Sequence, residues 1–434
     1  MVFIKGSRLT LPIRKLISNL ALNKIDSIPN IIPENFDQYV AKYCQNANKS
    51  NYYNNLFNQV GMPQNIYEFQ ETMPIITRDI LEKNTINFLN KDYPINKLTQ
   101  THTSGTSGNP LYLYKSNNEM CIVQRDYNLL KNLGMKNTDD MLVVASGGSS
   151  IMEAAKKYTF LFPNMVHADK KGMQENINYL QKFKLVKSYT RFLLNFLKTN
   201  NFKKNPFTNL ETLILMGEIL TDKTKNEYYE YLNNIELVNL FACVEFGYVA
   251  QSCEHGFFHP FNGFYIESLK TESGLEELVI TDFKNNKPGQ FITRYATGDS
   301  IIMNDMCPCG KEGQSFSVLG RVSEQEMSKH LNKTEYNDMI TDLLKKHNLP
   351  AYLVGINIKD LGYTIKIIPE LVVKKGFEKK LKNSISANEI NKKFLSGQYP
   401  NLYIEIGVWT SGNPKILQEE PEGYIGKIRI KNEV

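Results

Sequence analysis

The sequence has one tryptophan, six cysteines and six histidines in 434 residues, no long hydrophobic run and no marked excess of charge. So few cysteines in so long a chain do not make a disulfide framework. No stretch reaches the ~18 uncharged apolar residues of a membrane-crossing helix. Residues Met1 to Pro12 contain no continuous apolar core ahead of a small-residue cleavage site. Neither a membrane span nor an export signal is expected, and the protein reads as soluble and cytoplasmic. The 51 Lys and Arg against 45 Asp and Glu leave a net charge of only +6. The basic residues sit in scattered pairs such as Lys203-Lys204 and Lys374-Lys375, which excludes nucleic acid as an expected partner. Internal repeats and low-complexity linkers are absent. So is the pattern G-x-x-x-x-G-K-[ST], and an ordinary P-loop is thereby excluded.

What is present begins with the decapeptide Thr101-His102-Thr103-Ser104-Gly105-Thr106-Ser107-Gly108-Asn109-Pro110. Glycines let a backbone approach a ligand closely, successive N–H groups can form a nest for an anion, and short hydroxyls donate to phosphate oxygens. The same composition suits a polar surface loop.

The length suggests two to four units at ~100 to 200 residues each. Residues 1 to 98 read as helices and loops forming a lid or flank, with a short helix at Asn51 to Val60 and a cap at Thr77. Leu111 to Tyr114 reads as the second strand of a hairpin, and Asn118 to Gly134 as a helix. The apolar runs Met141 to Ala145, Leu210 to Met216 and Ile235 to Phe241 read as buried strands of an α/β sheet, each breaking into a polar loop. Helices are expected at Met173 to Phe183, at Tyr189 to Lys198 and from a Thr221 cap to about Leu232. Leu275 to Asp282 and Phe291 to Asn304 suggest an antiparallel subdomain. Past Gly320-Arg321 the texture changes: an amphipathic helix at Lys333 to Lys346, a hairpin of Val354 to Lys359 and Tyr363 to Ile368, helices over about 370 to 395, and a strand at Leu402 to Val408. The expectation is an α/β region over 1–320 and a small α+β domain over 321–434, with a hinge near 321 to 326.

Four motifs in fixed order resemble those of the adenylate-forming enzymes: the loop 103–110, Phe241-Ala242-Cys243-Val244-Glu245, Tyr295-Ala296-Thr297-Gly298-Asp299, and Gly320-Arg321. Residues Met73 to Leu81 and the cysteine pattern are similar to the phenylacetate-CoA ligase branch, including relatives in capsule-biosynthesis clusters. The resemblance implies an ATP- and magnesium-dependent ligase that joins a carboxylic acid to AMP. The acceptor that follows is coenzyme A, a carrier-protein thiol, an amine or a hydroxyl. It further implies that Thr103, Ser104, Gly105, Thr106, Ser107 and Gly108 hold the β- and γ-phosphates, that Glu245 holds magnesium, and that Asp299 accepts the ribose hydroxyls. Phe241 would stack on adenine, Gly217 and Glu218 would line the adenine and acyl pocket, and Arg321 would reach ribose or phosphate. Lys427, in Gly426-Lys427-Ile428, would bridge the attacking carboxylate and the α-phosphate, withdrawing when the small domain rotates about a pivot near Glu324. Several positions depart from the family pattern: Asn109 for a lysine, Ala242 and Val244 for a glycine and a threonine, Ala296 for an arginine. The run Val322 to Ser328 lacks the continuation usual in CoA ligases of this branch.

A second constellation joins Cys253-Glu254-His255 to Cys307-Pro308-Cys309. Cys253, His255, Cys307 and Cys309 make the three-cysteine, one-histidine set of a closed structural zinc site, with His259 a spare candidate that reads more readily as an ordinary histidine. Oligomeric state and the identity of the acid are not legible in the sequence.

Overall fold

The computed structural model describes residues 36–102, 111–116, 119, 141–145, 164–167, 181–199, 207–232, 235–285, 287–304, 306–322, 354–359, 362–367, 401–403 and 429–432. The chain opens with helices α1 (Phe36–Ala47), α2 (Asn51–Val60), α3 (Ile66–Thr72) and α4 (Arg78–Lys83). Each start after the first is set by a side chain that accepts from an otherwise unpaired N–H of the first turn. Ser50 accepts from Tyr53, Asn65 from Glu68 and Thr77 from Ile80. A hairpin of β1 (Thr99–His102) and β2 (Tyr112–Lys115) follows.

The centre is an 11-stranded sheet. Strands β3 (Met141–Ala145), β4 (Asn164–His167), β5 (Leu185–Tyr189), β6 (Thr212–Met216) and β7 (Glu236–Cys243) are parallel, in the order 4-3-5-6-7. Beyond β7 the sheet becomes antiparallel through β8 (Gly247–Ser252), β9 (Phe258–Pro260), β13 (Ser315–Arg321), β12 (Tyr295–Asn304), β11 (Glu276–Asp282) and β10 (Phe264–Lys270).

Two cores result. Alternating residues Leu142, Val144, Val186, Leu213 and Leu215 of the parallel strands pack on Phe192, Leu193 and Leu197 of α5 (Thr190–Thr199) and on Tyr228 of α6 (Asp222–Tyr229). Each such side chain contributes about 1.5 to 3 kcal/mol on burial. The second core packs Tyr43, Tyr53, Phe57 and Phe69 of the first helices on Phe264, Ile280, Phe291 and Tyr295 of the antiparallel half. Tyr43 meets the edges of Phe283 and Phe291 at 5.5 and 6.0 Å. The described part of the N-terminal segment is therefore a packed flank and shares the core of the antiparallel half.

Arg294 fastens this flank. It adopts φ 47°, its guanidinium forks onto Glu267 at 3.0 and 2.8 Å, and it donates to the carbonyls of Gln70 and Met73.

A separate 4-stranded sheet, in the order β16 (Asn401–Tyr403), β15 (Gly362–Ile367), β14 (Val354–Lys359), β17 (Arg429–Asn432), contains the expected hairpin. The helices expected at 118–134, 333–346 and 370–395 lie outside the described residues, apart from Glu119. So does most of 173–183 and of the strand at 402–408.

Candidate active site and metal cluster

Strand β7 is where parallel pairing gives way to antiparallel, and the chain reverses there within Val244, Glu245 and Phe246. Glu245 is buried in this turn. Tyr295, at the start of β12, lies near the Glu245 carboxylate. Burial first, then the charge and hydrogen bond of Glu245, push the Tyr295 hydroxyl far above the ordinary tyrosine range, while Arg78 pulls it down. Lys115 at the end of β2 donates to the Glu245 backbone carbonyl.

Four residues along β12, Asp299 faces Arg321 of β13 in direct register. The Arg321 Nε lies 3.4 Å from Asp299 Oδ1 and its Nη1 donates to the Thr297 carbonyl at 2.6 Å. Gly298 between them has φ 76°, and a Cβ there would stand 3.2 Å from the guanidinium. A positive φ and a close cation together require glycine. Cys243 senses the whole group. Burial raises its thiol well above the ordinary cysteine range, Glu245 and Asp299 push it further, and Lys115 draws it back. Lys115 and Glu245 meet here, and Asp299 is near enough for its charge to reach Cys243.

Gly217 and Glu218 lie where the chain leaves β6, with Gly217 at φ 89°. This loop is held by Asn239, a residue the sequence reading did not single out. The buried Asn239 amide donates to the Leu215 and Glu218 carbonyls at 3.3 and 3.1 Å and accepts from the Leu220 N–H at 3.4 Å. The only sign of it in sequence is an amide inside an apolar run. Phe241 is partly exposed and meets Phe258 and Phe316 edge-on at 6.0 and 5.7 Å. Thr103, Ser104, Gly105, Thr106, Ser107, Gly108 and Lys427 lie outside the described residues.

The cysteines converge with a histidine, and it is not the expected one. Cys253, His259, Cys307 and Cys309 bring their ligand atoms within 4.8 Å of one another. Cys253 and Cys307 sulfurs are 3.6 Å apart, and Cys309 sulfur is 3.3 Å from His259 Nε2. Both cysteine segments are tight turns. The Gly256 N–H donates to the Cys253 carbonyl and the Gly310 N–H to that of Cys307, each at 3.0 Å and each with a glycine at positive φ.

His255 sits at the tip of the first turn, exposed, 3.8 Å from Glu254. The reason is the ribbon's alternation. His259 pairs with Gln251 and Cys253 with Phe257, so these four side chains share one face. His255 is therefore replaced by His259 as the histidine of the cluster. Burial lowers the His259 pKa below its ordinary value, as does Lys311, with Glu254 opposing, and this favours the neutral imidazole that binds metals.

No protein-family model matches the chain, and no curated protein matches it. Among solved structures it is similar to the GH3.15 acyl acid amido synthetase, with TM-score 0.55 and 11% identity over 98% of this chain and 94% of that one. The fold is that of the adenylate-forming enzymes. Likenesses of lower score include the Bacillus subtilis O-succinylbenzoate coenzyme A synthetase in complex with ATP and magnesium (TM-score 0.45, 14% identity, 71% and 66% of the two chains). A benzoate CoA ligase from Burkholderia xenovorans also matches (0.45, 12%, 76% and 68%). In this fold, the end of β7 and the β12–β13 pair supply the side chains described above. No helix among the described residues is long and apolar enough to cross a membrane.

Proposed function

We propose that the chain activates a carboxylic acid with ATP and magnesium, releasing pyrophosphate, and passes the acyl group to a thiol of coenzyme A or a carrier protein. The observation that carries this reading is the placing of two carboxylates near the end of β7: Glu245, buried in the turn that follows it, and Asp299, within β12 in register with Arg321. The donor sets fit the groups they would hold. Glu245 would offer hard oxygens to magnesium, its turn held by the Lys115 ammonium. Asp299 offers two oxygens to ribose hydroxyls, with Arg321 beside it to meet ribose or phosphate. Gly217, Glu218 and Phe241 would border the adenine and acyl pocket, and the 103–108 loop would take the β- and γ-phosphates.

Magnesium, when bound, neutralises charge on the triphosphate. The work of the chain is positioning. The acid's carboxylate oxygen bonds to the α-phosphorus as the bond to pyrophosphate breaks. Lys427, a compact ammonium on a flexible stem, would steady both reactants. In the second step the acceptor's sulfur bonds to the acyl carbon, AMP leaves with the bonding electrons, and the thiol proton is lost. A large region over 1–320 and a small mobile domain over 321–434 would exchange Lys427 for the acceptor between steps. A second reading substitutes an amine for the thiol. Its support is the name of the acyl acid amido synthetase and the sequence after Arg321.

The same proposal assigns zinc to Cys253, His259, Cys307 and Cys309. Zinc–sulfur and zinc–nitrogen bonds of ~2.3 and ~2.0 Å in a tetrahedron imply ligand separations of ~3.8 Å between sulfurs and ~3.5 Å from sulfur to nitrogen. The measured 3.6 and 3.3 Å agree. Four protein ligands leave no open position, so the metal's role is structural: it ties the β8–β9 turn to the loop between β12 and β13.

The activity is tested by pyrophosphate release across a panel of aryl, fatty and amino acids, with Lys427→Ala beside wild type. Acid-dependent release that Lys427→Ala abolishes while ATP affinity stays within a few-fold supports the assignment. Wild-type rates in that variant remove Lys427 from its role, and ATP binding without release from any acid reduces the chain to a nucleotide-binding protein.

A further inference from the structure

The hairpin β1–β2 and the Glu245 turn come from distant parts of the sequence and meet at one side chain. Residues 101–114 contain neither lysine nor arginine, so Lys115 is the first cation after the hydroxyl-rich loop. Its ammonium donates to the Glu245 carbonyl and lies 3.9 Å from the Glu119 carboxylate. The strand that carries it is fixed from behind. Ser116 Oγ donates to the Lys287 carbonyl at 3.2 Å, Tyr114 N–H to the Gln290 side chain at 3.3 Å, and Asn285 to Glu119 at 3.4 Å. Gly289 presses so close that a Cβ would stand 2.7 Å from Ser116 N and 2.8 Å from the Tyr114 oxygen. Lys115 is thus held at its base by the 285–290 turn and at its tip by Glu245. Its side chain is only 17% exposed.

We infer that Lys115 is a positioning residue, tying the turn that bears Glu245 to the β1–β2 hairpin, so that the carboxylate proposed for magnesium is held in one place. This rests on the function proposed above. Glu245 would hold magnesium, so its placement should matter to a nucleotide that carries the metal and little to one without it. The tie should therefore affect magnesium-ATP more than free ATP.

Calorimetric binding of ATP, with magnesium and with a chelator, is compared for wild type, Lys115→Met and Lys115→Arg. Lys115→Met should weaken magnesium-ATP about tenfold, the scale of one lost charged hydrogen bond, while metal-free ATP changes less than about twofold. Lys115→Arg, which keeps the cation and its donors, should recover most of the loss. Unchanged magnesium-ATP binding in Lys115→Met overturns the inference and leaves the proposed function standing, as does an equal loss for both nucleotides. A wild-type protein that binds neither overturns the function and this inference with it. Should Lys115→Met fail to fold, Lys115→Gln is read by the same criteria.

Discussion

Replacing His259 with alanine separates two nearby histidines by a measurable quantity. Structural zinc binding in small peptides is worth ~10 to 16 kcal/mol. Divided over four ligands, one imidazole contributes about 3 to 4 kcal/mol, or roughly a 10²- to 10³-fold change in affinity. His259 lies on the ribbon face it shares with Cys253, and its ring nitrogen is 3.3 Å from the Cys309 sulfur. His255 lies on the turn tip, with its side chain 44% exposed. Metal content by mass spectrometry and competition with a zinc chelator should give about one zinc per chain for wild type. His259→Ala should hold it 10²- to 10³-fold more weakly and His255→Ala within about twofold of wild type. Zinc lost in His255→Ala and kept in His259→Ala would refute the ligand assignment, and well under one metal per wild-type chain would refute the site.

Arg294→Met strips a charge from Glu267, whose side chain is 11% exposed, and leaves the Gln70 and Met73 carbonyls without their donor. Urea unfolding should show a loss of about 3 to 5 kcal/mol, and a loss below ~1 kcal/mol would dismiss this pair as a fastener. Asn239→Leu removes the amide that donates to the Glu218 and Leu215 carbonyls. It should cost about 2 kcal/mol and weaken ATP binding several-fold, whereas unchanged nucleotide affinity would separate the loop from the site. Burial raises Cys44 from its ordinary 9.0 to about 12. The folded state then keeps the thiol proton longer than the unfolded state does. That contribution is complete below about pH 9 and fades as pH rises towards about 12. Cys44→Ala should flatten the alkaline fall in stability, and an identical alkaline limb would contradict the shift.

The fold was legible where pattern and chemistry agreed. The apolar runs ending at Ala145 and Met216 are strands, the helix from Asn51 forms, the caps at Thr77 and Thr221 start helices, and β14 pairs with β15 as a hairpin. It was not legible in β5, because Lys187 interrupts the apolar run. In the structure that lysine is buried, with its ammonium 3.9 Å from the centre of the Tyr248 ring. Strand β12 starts later than the run from Phe291 suggests, because Arg294 turns the backbone to positive φ and spends its side chain on the flank. The identity of Glu245, Asp299 and Arg321 as candidates came from motif order. Their meeting at β7 could not, since Lys115, Asn239 and Tyr295 act through contacts across more than a dozen residues. The histidine of the cluster was misread because proximity in sequence favours His255 and the alternation of an antiparallel ribbon favours His259.

The central claim is adenylation, and acid-dependent exchange of labelled pyrophosphate into ATP measures that step alone, whatever the acceptor. The account predicts exchange with at least one carboxylic acid, none without acid, and at least about a hundredfold loss in Asp299→Ala, which would remove the two charged hydrogen bonds proposed to ribose. No exchange with any acid from a protein that binds magnesium-ATP would contradict it.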